Sequence, residues 1–288
     1  MKALVVEGGA MRGIFASGVL DAFMRKHYNP YHFSIGVSAG VSNLVGYLAH
    51  QPKRSYHVIT KLATDKRFLN PARFVKGGHL VDVKWLIEES NHRYPLDIEK
   101  VRHANPMLAT TTNINTGNAD YYQLDLDNLE RILEATCALP IAYKTVPCFS
   151  GGCYTDGGVA DSIPVKEAYR RGAKDITVIL SHPISYEMPA PKFGWLMQKV
   201  LADYPHVASA LAKRAENYNQ SLEFIRYPPT DAIVRVIAPP EQFAVQRLTK
   251  NKRILEHGYQ MGLEAGEQHL QIQQGIHGLT DENCHFCI

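Results

Sequence analysis

No stretch of this 288-residue chain is apolar for long enough to cross a bilayer. Its first apolar run, Ala3-Leu4-Val5-Val6, stops at Glu7, well short of a signal-peptide core. Charge of one sign is equally scarce. Lys and Arg number 31 against 28 Asp and Glu, a net charge of +3, too small an excess to argue for nucleic acid, which asks for basic residues clustered on one face. Five cysteines make an odd count without a secretory signal and suit a reducing compartment better than a disulfide framework. The expected location is therefore cytoplasmic, with peripheral contact at a membrane surface left open. Cys284, His285 and Cys287 with His277 follow no common zinc spacing, and the segment reads as an exposed tail without the Cys four from the end that prenylation needs. No acidic loop of the EF-hand kind appears. Neither metal nor any other cofactor is expected.

What is present is ordinary for a globular protein: 45% hydrophobic and 20% charged residues, with no repeat, low-complexity tract or linker. One large domain is the expectation. Lys2 to Val6 reads as a buried strand ending in glycines, followed by helical spacing from Ile14 to Lys26. Phe33 to Val37 and Ala39 to Ala49 repeat the plan. Met107 to Thr112 and Tyr121 to Leu124 read as strands around the turn Asn115-Thr116-Gly117-Asn118, pairing as a hairpin. Asn128 to Leu139 reads as a helix stopped by Pro140, Cys153 to Thr155 as a brief strand and Ile163 to Gly172 as a helix. Ile176 to Ser181 and Ala232 to Ile237 read as strands, with a long helix from about Arg247 to Gln274. Alternating strands and helices predict an α/β fold, a mostly parallel sheet with helices on both faces. Pro183, Pro189 and Pro191 mark a loop before Phe193-Gly194-Trp195-Leu196-Met197, which reads either as a core helix, the commoner case, or as a lid or membrane-touching patch. The stripe Val207, Leu211, Tyr218, Leu222 and Ile225 raises the same choice, again with core packing favoured.

Three loops carry the chemistry. Gly36-Val37-Ser38-Ala39-Gly40 has the G-x-S-x-G form of a nucleophile elbow, where flanking glycines let the chain turn sharply from strand to helix with the serine hydroxyl exposed. The bland alternative is a serine that caps a helix. Gly8-Gly9-Ala10-Met11-Arg12-Gly13 after the first strand would aim backbone N–H groups at an oxyanion. It could instead cradle a phosphate, but it lacks the Gly-Lys-Ser/Thr ending of a P-loop and the G-x-G-x-x-G fingerprint, so the oxyanion role is the better one and no nucleotide partner is expected. Asp156-Gly157-Gly158 is by itself a turn; beside the other two loops it is a candidate base, and none of thirteen histidines sits where it marks itself as one.

The three loops in this order resemble the patatin-like phospholipase family, bacterial type. Ala135-Thr136-Cys137-Ala138-Leu139-Pro140 and Asp161-Ser162-Ile163-Pro164-Val165 resemble its segments before and after the aspartate, so the likeness spans roughly residues 2 to 181. The resemblance implies a three-layer α/β/α sandwich, a Ser38–Asp156 catalytic dyad and an oxyanion loop of Gly8, Gly9, Ala10 and Met11. Arg12 and Gly13 are implied to support the loop or bind substrate, with an ordinary surface ion pair for Arg12 about equally open. Gly36, Gly40, Gly157 and Gly158 shape the elbow and the Asp loop. It further implies a catalytic core over 1–182, with 183–288 the remainder of the same domain. Lipid esters, phospholipid or lysophospholipid, are the implied substrates, and a non-catalytic lipid-binding protein on the same fold is the alternative. Two residues depart from the family pattern: Ala10 stands where a third glycine is usual and Ser162 where Asn is common.

Overall fold

The apolar runs become the strands of one mixed sheet in the computed structural model, which describes residues 1–191, 194–273 and 275. Strands β1 (Lys2–Val6), β2 (Phe33–Val37), β3 (Met107–Asn113), β7 (Asp175–Ile179) and β8 (Ile233–Ile237) run parallel in the order β3-β2-β1-β7-β8. Antiparallel to β3 lie β4 (Ala119–Gln123), its expected hairpin partner, and β6 (Gly152–Asp156), which turns back on the two-residue β5 (Cys148–Phe149). Around the sheet stand α1 (Gly13–Arg25), α2 (Ala39–Leu48), α3 (Arg54–His57) running into a π-helical turn at Val58–Leu62, α4 (Pro71–Val75), α5 (Val83–Arg93) and α6 (Ile98–His103). The chain continues through α7 (Leu129–Cys137), α8 (Val165–Arg170), α9 (Gly194–Val200), α10 (Pro205–Arg226) and α11 (Lys252–Gln273).

Alternation along β1 separates the two layers. Leu4 and Val6 point into a core with α1, α2, α7 and α11; Ala3 and Val5 point into a second with α8 and α10. The three-layer α/β arrangement expected from the sequence is the one observed. Helix α11 meets α1 at backbone distance: a Cβ on Gly262 would stand 2.1 Å from the Phe15 carbonyl oxygen, so no larger residue fits.

The differences are local. Residues 50–106, unassigned from the sequence, hold α3 to α6. Cys148 and Cys153, expected as reduced thiols, are joined across the β5–β6 hairpin. The stripe on α10 packs inward, with Val207, Tyr218, Leu222 and Ile225 buried. The favoured core reading of α9 is overturned: Trp195 is 67% exposed, and Leu196, Met197 and Val200 also face outward. Phe193, Gln274 and the tail bearing His277, Cys284, His285 and Cys287 lie outside the described residues. Among the described residues no helix is long and apolar enough to cross a membrane.

Candidate active site

Register brings Ser38 and Asp156 together. A strand has two edges, and β4 occupies one edge of β3 from Leu108 to Thr112. β2 takes the opposite edge up to the pair Val37↔Thr110, and β6 takes that same edge from the next residue, Asp156↔Thr111. β2 and β6 therefore abut end to end along β3. The residue that leaves β2 and the residue that ends β6 emerge side by side.

Ser38 holds φ 52° and ψ −122°, a conformation that costs a residue with a side chain about 1–3 kcal/mol and must be held in place by its surroundings. Two devices hold it. Gly36 sits under Val41 and Leu44 of α2, while Gly40 passes so close to the end of β1 that a Cβ would stand 2.4 Å from the Val6 carbonyl oxygen. The second device is Thr136 on α7. Its buried hydroxyl accepts the Ser38 N–H at 2.9 Å and donates to the Thr110 carbonyl at 2.6 Å, tying the elbow to β3.

Asp156 is buried and its backbone is fixed by three neighbours. Its N–H donates to Ala138 O at 2.9 Å, its carbonyl accepts from Thr112 Oγ1 at 2.8 Å, and Gly157 lies over the Thr110 carbonyl. Oδ1 accepts the Gly158 N–H at 2.8 Å; Oδ2 is buried with no partner among the described residues. Burial raises the carboxyl pKa above the ordinary aspartate value, while the nearby Ser38 hydroxyl, the Gly158 N–H and the charges of Arg214 and Arg247 pull it back. Ser38 thus lies close enough to the carboxylate to favour its charged form, although no well-formed hydrogen bond joins them. Cys137 adjoins both, but burial first and the Asp156 charge second push its thiol up to about 12, which keeps it protonated.

The loop at the end of β1 is held from below. Glu7 is buried; its carboxylate accepts Ser181 N–H at 2.6 Å and the Tyr218 hydroxyl at 3.2 Å, and Ser181 Oγ donates to Gly8 O at 3.1 Å. Gly8 rests against the Val37 carbonyl and Ser38, and Gly9 against Ser181. Ala10 lies at φ 51°, where its Cβ costs about 1–2 kcal/mol relative to a glycine. Among the described residues the N–H groups of Gly9 and Ala10 make no hydrogen bond. Met11 differs: its N–H is turned to the Arg247 carbonyl at 3.4 Å. Gly13 opens α1 beside Ala39, its carbonyl receiving Asn43 Nδ2 at 2.8 Å. Arg12 is not the surface ion-pair residue considered above: it is 6% exposed and its Nε has no partner among the described residues.

Two cavities flank this centre. A narrow one of about 130 Å³ reaches from Ser38 and Ala10 into an apolar lining that includes Val58, Ile59, Leu86, Ile87 and Leu133. Most of that wall comes from residues 54–90, which the sequence reading left blank. The second, about 620 Å³, is bordered by Arg12, His182, Tyr186, Met197, Arg214 and Arg247. Arg214 reaches from α10 to donate through Nε to the Gly158 carbonyl at 2.5 Å. None of these arginines except Arg12 stood out in the sequence. No cluster of metal-ligating side chains occurs among the described residues.

Residues 4–169 match the family model for patatin-like phospholipase, and residues 204–275 match that of a domain of unknown function, DUF6363. The uncharacterized protein YjjU of Escherichia coli (strain K12) is 32% identical over 274 residues, covering 93% of this chain and 76% of that protein. Among solved structures, the crystal structure of VipD from Legionella pneumophila is similar with a TM-score of 0.48 and 14% identity, over 93% of this chain and 67% of that one.

Proposed function

The chain belongs to the patatin-like phospholipase family, a family of lipid acyl hydrolases, and from that membership we propose that it cleaves carboxylic esters of lipids, phospholipid or lysophospholipid, with Ser38 as nucleophile and Asp156 as base. The observation that carries this reading is the end-to-end placement of β2 and β6, with the buried Oδ2 of Asp156 left without a partner beside Ser38. Oδ2 takes the Ser38 proton as Oγ attacks the ester carbonyl and returns it to the leaving alcohol. Water then repeats the cycle on the acyl-enzyme. The free N–H groups of Gly9 and Ala10, with that of Ala39 at the start of α2, are suited to receive the oxyanion. Each such donor typically contributes ~3 kcal/mol, a hundredfold or more in rate. Met11 belongs to this set more weakly, because its N–H already faces Arg247. A lone carboxylate is a weak base for a serine, and burial helps by making Asp156 more basic than a solvated one.

The apolar cavity at Ser38 is suited to an acyl chain. Transient membrane contact is supported by the outward-facing Trp195, Leu196 and Val200 of α9. The proposal keeps residues 1–182 and 183–288 in one domain, supported by β8 alongside β7 and α11 against α1. It also keeps the protein cytoplasmic. It gives no role to a cofactor, nucleotide or nucleic acid.

The test is intact mass after incubation with a lipophilic fluorophosphonate. A single adduct on wild type that Ser38→Ala abolishes is the expected result. No adduct on folded wild type would turn the reading to a non-catalytic lipid-binding protein on the same fold.

A further inference from the structure

The larger cavity has an excess of positive charge along its border, with the buried carboxylates of Glu7 and Asp156 set behind it. Arg12, Arg214 and Arg247 border it, no Asp or Glu does, and none of the three arginines is in ion-pair contact with a carboxylate among the described residues. Arg12 is a buried cation, attracted by Glu7 but not paired with it, whose Nε has no partner among the described residues, a state costly enough that a folded protein seldom keeps it without use. Burial first, with the like charge of Arg247 adding to it, lowers the pKa of both Arg12 and Arg214, against the attraction of Glu7 for both and of Asp156 for Arg214. Burial, with the same three arginines, pushes His182 down to about 3, so its ring, stacked on Tyr186 at 3.8 Å, stays neutral. Arg247 also lines the apolar cavity at Ser38, and Arg214 touches the loop of Asp156, so the two cavities meet at the reacting centre.

We propose that this second cavity receives the phosphate of a net-anionic lipid headgroup on Arg12, Arg214 and Arg247, so that the protein selects anionic glycerophospholipids over zwitterionic ones. The inference rests on the lipid-ester reading given above, and two of its three arginines lie beyond residue 182. Guanidinium forks match phosphate oxygens, while the cavity's border offers no carboxylate to a choline or ammonium group. Chain and headgroup would then occupy separate cavities, with the ester between them at Ser38.

The experiment separates recognition from turnover. Calorimetric titration of the full chain carrying Ser38→Ala, with soluble dihexanoyl phosphatidylglycerol and dihexanoyl phosphatidylcholine, reads binding alone. The anionic lipid is expected to bind at least about tenfold more tightly, and Arg247→Gln in the same background to bring the two within about threefold, the loss expected for one charge-assisted contact. Arg247→Lys is expected to keep most of the preference. Equal affinities, or a preference that Arg247→Gln leaves intact, would overturn the inference. Inorganic phosphate is the third titrant: Arg247-dependent phosphate binding with no preference for the anionic lipid would make the cavity a site for free phosphate and overturn the headgroup assignment. The lipid-ester reading is judged separately, by p-nitrophenyl butyrate hydrolysis in wild type and its loss in Ser38→Ala.

Discussion

Replacing Thr136 by valine keeps the shape of the side chain and removes only the oxygen that ties the elbow to β3. The Ser38 N–H, held at 2.9 Å, then has no acceptor, and the Thr110 carbonyl loses a donor at 2.6 Å. An orphaned buried N–H costs about 1–3 kcal/mol and the lost donation about 1 kcal/mol. The added methyl returns about 0.8 kcal/mol. The net of about 1–3 kcal/mol corresponds to a melting temperature roughly 2–5 °C lower for a chain of this size. Activity should fall further than stability implies, because the same bond helps to hold Ser38 at its costly φ of 52°, and a misplacement of about 1 Å at the reacting atom can cost a hundredfold. Calorimetric melting and kcat/KM on p-nitrophenyl butyrate read the two effects, with Thr136→Ser as the variant that retains the hydroxyl. A Thr136→Val protein that melts within about 1 °C of wild type with unchanged kcat/KM would refute the reasoning, as would equal damage from Thr136→Ser.

Three further outcomes are expected. Because burial raises the Asp156 pKa and the base must be ionised, kcat/KM should decline as pH falls through a midpoint above the ~3.9 of a free aspartate; a limb centred near 6.5 that vanishes in His182→Gln would contradict this. Leu86→Trp, which fills the apolar cavity, should lower kcat/KM for long-chain esters at least about tenfold more than for butyrate, read across a p-nitrophenyl ester series. His269 is buried with both ring nitrogens unpartnered and its pKa pushed down by burial to about 4, so the unfolded chain takes up a proton that the folded one refuses, and wild type loses stability as pH falls from about 6.5 toward 4. His269→Leu removes that loss, and its melting temperature relative to wild type should rise over the same interval; a constant difference would show that the ring does not titrate on unfolding.

The parts of the fold legible in the sequence were those with strong local grammar. β1, β2, β3 and β7 are short β-branched or apolar runs closed by glycine or polar turns, and the three loops follow strands whose ends they mark. Residues 50–106 were illegible because their helices are short and only partly buried, so no apolar stripe announces them. Their caps were nevertheless in view: Asn70, Asp82 and Asp97 each accept a backbone N–H from three residues on, and Pro71 follows the first of them. The arginines of the larger cavity left no such trace, since Arg214 and Arg247 approach Arg12 only through tertiary folding. Likewise the adjacency of Ser38 and Asp156 depends on β6 taking over an edge of β3 exactly where β2 ends, a register that one sequence does not write down. The fate of α9 is not legible because a five-residue apolar run has the same composition whether it faces a core or solvent.

The closeness of α1 and α11 has a consequence for synthesis. α1 emerges directly from the loop beside Ser38, yet the helix that covers it is about 230 residues later in the chain. At translation rates of about 5–20 residues per second, roughly 10–45 s pass between the two. Throughout that interval the apolar flank of α1 has no permanent cover, and the edge of β7 waits for β8, so the nascent chain presents sticky surface until late in synthesis. The arrival of α11 closes the layer last, and a ribosome-bound chain is therefore the stage at which this protein most needs a chaperone.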